Sequence, residues 1–161
     1  MRRVLIVVDD YTSAEAAARH VLSGSALGPV EEAVLLHAHA PVRSYAARFF
    51  APQALRALRA ADGRRLLGDA QALLEGAGVR ASFHSEPGDI APTVAAVARE
   101  RAADAIVMGS EPAGAFRRLM FRLLVWQVVR QADVPVHIVG ASEVGRAPER
   151  ARPRLRPAYP H

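Results

Sequence analysis

Asp104-Ala105-Ile106-Val107-Met108-Gly109-Ser110 is a short apolar run that stops at a glycine and a hydroxyl. With no polar residue alternating through it, it predicts a strand buried on both faces, as in a parallel sheet. Its neighbours in the chain fit that reading. Before it, helical spacing covers residues 90–102, and Asp89 follows a Pro87-Gly88 turn at the place of a helix cap. After it come a loop with Pro112 and Gly114, a helix over 116–132 and a strand over 134–139. Towards the N-terminus the same alternation continues. A strand is expected at 4–9, and a helix at 13–23 with Thr12 or Ser13 as N-cap and Gly24 as its stop. Another strand at 33–40 ends at Pro41, and the connection 41–51 contains Tyr45, Phe49 and Phe50. One long helix is expected over 52–77 and a strand over 79–85. Strands alternating with helices, without hairpin turns, predict a doubly wound α/β domain with a five-stranded parallel sheet. Ligands of such sheets sit beyond the carboxyl ends of the strands, here residues 9–10, 37–40, 84–89 and 108–116.

The length of 161 residues suits one domain, and the 51% hydrophobic content is that of a globular chain. The expected division is a domain over 1–141 and a disordered, basic, Pro/Arg-rich tail over 142–161. From 146 onward the tail has five arginines against Glu149, which accounts for four of the five net positive charges. The globular part is nearly neutral, so nucleic acid is not an expected partner. No cysteine is present, which excludes disulfides, thiolate catalysis and Cys-based zinc sites. The apolar start, Val4 to Val8, is cut short by Asp9-Asp10, too early for a secretory or membrane-spanning segment. A cytoplasmic protein is the expectation.

Several segments, in order, resemble the universal stress protein family. They are Val4-Leu5-Ile6-Val7-Val8-Asp9, Leu35-Leu36-His37, Gly88-Asp89-Ile90, the 104–110 stretch, and Asp133-Val134-Pro135-Val136-His137-Ile138-Val139. The resemblance spans roughly residues 3–140. It implies the adenine nucleotide alpha hydrolase-like fold with strand order 3-2-1-4-5. It also implies a homodimer paired through the fifth strand, Val136, His137, Ile138 and Val139. Family members that bind ATP have Gly-x2-Gly-x9-Gly-[Ser/Thr] after the fourth strand, where glycine amides, a helix N-terminus and a hydroxyl grip phosphates. Here Gly109 keeps the first position, Pro112 replaces the second glycine, and Arg122-Leu123 replaces the final pair. Proline has no N–H to offer and leucine no hydroxyl. Gly114 in a displaced loop, or Arg117, Arg118 and Arg122, are the substitutes to weigh.

Other constellations are weaker. Asp9-Asp10 is similar to the acidic pair of response-regulator receivers, but His84-Ser85-Glu86 supplies no acceptor Asp and the chain has no Lys. In the stress-protein reading, Asp9 faces the adenine and ribose side of a nucleotide; its plainer role is to bind loop backbone or cap the next helix. His37 and His39 share a strand face, with His84 on the adjoining strand, and imidazoles so placed can share a metal. Ser110 lacks a Gly-x-Ser-x-Gly elbow, and the Ser-Gly-Gly loop of pyrophosphate-splitting ATP enzymes is absent. The last helix is apolar around much of its girth through Leu119, Phe121, Leu123, Leu124 and Trp126, which suits core packing or a partner subunit. Tyr45, Phe49 and Phe50 could cover the nucleotide cleft.

The expectation is a homodimeric binding or regulatory module of the stress response, not an enzyme, with no cofactor and no robust ATP binding. A further protein partner is left open. One alternative is an ATP- or AMP-binding switch using Val8, Asp9, Met108, Gly109, Ser110 and Gly114. Another is a small hydrolase or metal-dependent enzyme using His37, His39 or His84.

Overall fold

The computed structural model describes residues 2–24, 26–39, 52–110 and 114–140, without several side chains between 52 and 62. The strand β1 (Arg3–Val8) is the centre of the sheet, and its residues from Val4 to Val8 are at most 1% exposed. Successive side chains of a strand point to opposite faces. Accordingly Val4, Ile6 and Val8 join one core, and Leu5 and Val7 the other. A sheet covered on both faces therefore demands the unbroken apolar run that the sequence displays.

The remaining elements are α1 (Ala14–Ser23), β2 (Glu32–His39), α2 (Pro52–Leu67), α3 (Ala70–Gly76), β3 (Arg80–Pro87), α4 (Ile90–Glu100), β4 (Ala105–Gly109), α5 (Ala115–Gln131) and β5 (Val136–Val139). The strands pair in the order β3-β2-β1-β4-β5, every pair parallel. Residues of α1, α3 and the end of α2 cover the first face, and α4 and α5 cover the second. Strand order reverses between β1 and β4, so a crevice opens where Asp9 and Ser110 leave the sheet.

Local chemistry sets most element ends. Ser13 caps α1 by accepting the Ala16 N–H at 3.1 Å, and Gly24 closes the helix. Three expectations need correcting. The 52–77 helix is two helices, broken at Gly68–Asp69, where Gly68 takes φ +53° and turns the chain so that Leu67 and Leu74 both reach the core. Asp89 stands at the N-cap of α4, but its side chain makes no capping hydrogen bond. The last strand begins at Val136, not at 134. Tyr45, Phe49, Phe50, Pro112, Ala40 and the 142–161 tail lie outside the described residues.

No helix among the described residues is long and apolar enough to cross a membrane.

Candidate functional site

The crevice between β1 and β4 is floored by the turn from β1 into α1. The Thr12 hydroxyl accepts the Asp9 N–H at 2.8 Å and lies 3.1 Å from the Val7 carbonyl, which it can donate to. The Thr12 N–H returns to the Asp9 carbonyl at 3.2 Å. These bonds fix the turn and hold Asp9 half-buried at its tip. Burial raises the Asp9 carboxyl above its ordinary value. The Asp10 N–H, bound to that carboxylate, opposes the rise, the Asp10 charge adds to it, and the Arg117 charge opposes it.

Arg117 bridges the mouth from the first turn of α5. Its guanidinium donates to the Asp10 carbonyl and lies 5.9 Å from the centroid of the Tyr11 ring. Below it, a cleft of about 260 Å³ is lined by Asp9, Thr12, Ser13, Arg65, Gly68 and Arg117 among others. This cleft lies on the α1 and α2 side of the turn and takes no residue from β4 among the described residues. Arg65 and Gly68 were not legible as site residues, because they reach the cleft only through the break between α2 and α3.

On the phosphate side of the crevice, residues 111–113 lie outside the described residues. The N–H of Ser110 goes to the Val139 carbonyl at 2.8 Å, and its hydroxyl lies 3.2 Å from that same oxygen. Both groups are engaged in holding the end of β4 to β5. Gly109 is packed against α1: a Cβ there would lie 2.2 Å from the Ser13 carbonyl oxygen and 2.9 Å from the Ala17 nitrogen. Its lack of a side chain is thus required by the fold whether or not a ligand binds. Arg122 and Leu123 lie within the unbroken helix α5, where each N–H is taken by the carbonyl four residues back. Gly114 is the N-cap of that helix and is exposed.

The other sequence candidates are dispersed. Met108 is fully buried in the core under α4 and α5, and Val8 is buried on the α1 side. His37 and His39 are neighbours on β2, with ring centroids 5.6 Å apart. His84 is in register with Leu36, and His37 with Ser85, so His84 points to the opposite face of the sheet. There its Nε2 meets Glu86 Oε2 at 2.9 Å. Among the described residues, no group of three or more His, Asp or Glu is arranged to hold a metal ion. On the edge strand β5, Ile138 is 52% exposed, Val136 and His137 are half-buried, and Val139 is buried.

Comparison with known proteins agrees with this architecture. The structure is similar to the hypothetical protein MJ0577, with TM-score 0.67 and 21% identity over 86% of this chain and 95% of the other. It is similar to a universal stress protein family protein from Arabidopsis thaliana with AMP bound, with TM-score 0.58 and 19% identity over 89% and 95%. It is also similar to the universal stress protein from Archaeoglobus fulgidus in complex with dAMP, with TM-score 0.55 and 18% identity over 86% and 98%. No curated protein matches the chain. The model of the universal stress protein family matches residues 1–140, nearly the whole of the described fold, and the chain belongs to the universal stress protein family.

Proposed function

We propose that this chain is a homodimeric regulatory module of the stress response, without catalysis, that does not hold ATP through the family's glycine loop. The observation that carries the reading is the course of α5. Where the motif needs a free glycine amide and a hydroxyl, Arg122 and Leu123 occupy consecutive positions within one continuous helix. Ser110 supports the same conclusion, since its N–H and hydroxyl are both directed to Val139. Among the described residues, the carboxylates of Asp9 and Asp10 stand beside Arg117, which bridges the mouth. Repulsion from these groups disfavours a polyanion.

The test is a thermal titration with ATP and magnesium. The wild-type melting temperature stays constant, because a ligand stabilises only in proportion to its occupancy. A variant combining Pro112→Gly, Arg122→Gly and Leu123→Ser gains a saturable upward shift. A shift in the wild type contradicts the reading.

A second reading has a specific support. The relatives from Arabidopsis thaliana and Archaeoglobus fulgidus were solved with AMP and dAMP, which carry a single phosphate. One phosphate needs fewer donors, and Arg117 offers a charged contact at the crevice. A stabilising shift with AMP but none with ATP, lost in Arg117→Gln, selects this reading over the first.

The dimer is proposed to pair through β5, the edge strand of the described sheet, where Ile138 is exposed.

A further inference from the structure

The inner face of α5 is ordinary: Phe121, Leu124 and Val128 are buried in the core. The opposite face of such a helix is expected to be polar. Instead Leu119, Leu123 and Trp126 stand outward, 53%, 45% and 56% exposed. Their spacing, i, i+4 and i+7, lines them up as one ridge along the helix. Phe116, 67% exposed, flanks the ridge near its N-terminal end. Among the described residues, every large exposed apolar side chain except Leu22 lies on α5 or β5.

The charge of this helix has one sign. From 115 to 131 there are four arginines, Arg117, Arg118, Arg122 and Arg130, and no Asp or Glu. At 100° per residue, Arg118 and Arg122 run along one side of the ridge. Arg130 lies over Trp126, with its Cζ 4.6 Å from the ring centroid. Apolar residues on the crest with guanidinium groups alongside match a layer that is negative at its surface and apolar beneath.

Charge also decides among the occupants. A second copy placing its own α5 here would bring four arginines against four, with no carboxylate on either helix, because a two-fold interface pairs a patch with itself. The segment 141–161, with five arginines against Glu143 and Glu149, is repelled in the same way. We propose that the α5 ridge of Leu119, Leu123 and Trp126, with Arg118, Arg122 and Arg130, docks this protein on an anionic lipid surface. This rests on the fold; Arg122, Trp126 and Arg130 share a depression with Ile138, so the docking face lies beside the edge proposed for β5 pairing.

Trp126 is the sole tryptophan of the chain, so its emission reports on this helix alone. The full-length protein is titrated with vesicles of equimolar phosphatidylglycerol and phosphatidylcholine, and separately with phosphatidylcholine alone. The expected result is a blue shift of Trp126 emission with the anionic vesicles only, and quenching by acyl-chain bromination. Replacing Arg118→Gln and Arg122→Gln weakens partitioning by roughly fivefold per arginine. Leu123→Ser weakens it further while leaving the melting temperature in place, since that side chain is outside the core. The proposal is overturned by an unchanged spectrum with anionic vesicles, an equal response to neutral ones, co-sedimentation without quenching, or a shift that needs only concentrated protein. A shift with soluble polyglutamate but not with vesicles overturns it in favour of an acidic protein partner.

Discussion

The Ser13 N–H donates to the Gly109 carbonyl at 2.8 Å, and a Cβ on Gly109 would come within 2.2 Å of the Ser13 carbonyl oxygen. The N-terminus of α1 is thereby seated directly on the end of β4. The first glycine of the nucleotide motif thus has a structural reason to be glycine, and its presence says nothing by itself about phosphate.

Substituting Gly109→Ala should consequently be severe. The clash is with backbone, which cannot swing aside as a side chain tip can, so the cost exceeds the ~3 kcal/mol upper end of ordinary overpacking. Gly114→Ala is the control, since nothing lies within 4 Å of its Cβ position and its φ of −57° suits alanine. It should cost under about 1 kcal/mol. Urea unfolding of both variants measures the difference, and equal losses would refute this role for Gly109.

A second close approach lies under α2. A Cβ on Gly63 would be 2.5 Å from Phe83 Cζ and 2.7 Å from His37 Nδ1. Here the obstacles are rings, which can shift a little. Gly63→Ala is therefore expected to cost about 1–3 kcal/mol, with a changed near-ultraviolet spectrum but a retained fold.

The capping hydroxyl of Ser13 gives a smaller and cleaner effect. Ser13→Ala leaves the Ala16 N–H without its acceptor near the buried start of α1. The loss should be about 1 kcal/mol, read from the midpoint of urea unfolding with an unchanged slope.

Asp9 makes a prediction in pH. Its folded pKa lies above the ordinary 3.8, chiefly through burial. The folded state then holds this proton more tightly than the unfolded state does, so the Asp9 contribution to stability falls as pH rises from 3.8 through the folded value. Ionised Asp9 is a burden at neutral pH. Asp9→Asn, which keeps an acceptor for the Asp10 N–H, should raise the melting temperature at pH 7 and have no such benefit below pH 3.8. A lower melting temperature at pH 7 would show that the charge of Asp9 is needed.

Much of this was legible in the sequence, and the reasons differ by element. The run Val4–Val8 and the run ending at Gly109 announce themselves because only strands covered on both faces need uninterrupted apolar residues. Ser13 and Gly24 are read from local chemistry that depends on no distant contact. The break at Gly68 was missed because leucines on both sides keep helical spacing, and one glycine within such a pattern does not by itself end a helix. The separation of His84 from His37 depends on the register of β2 with β3, and a slip of one residue would reverse it. The engagement of Ser110 with Val139 and the packing of Gly109 on Ser13 are tertiary facts, with residues 29 and 96 positions apart in the chain. No local pattern encodes them.

The most direct test of the account is to look for nucleotide in freshly purified, full-length protein by native mass spectrometry and by chromatography of the denatured supernatant. With Ser110 tied to Val139 and Arg122-Leu123 locked inside α5, the protein should emerge free of ATP. Stoichiometric ATP retained through purification would contradict the claim that the phosphate donors are gone.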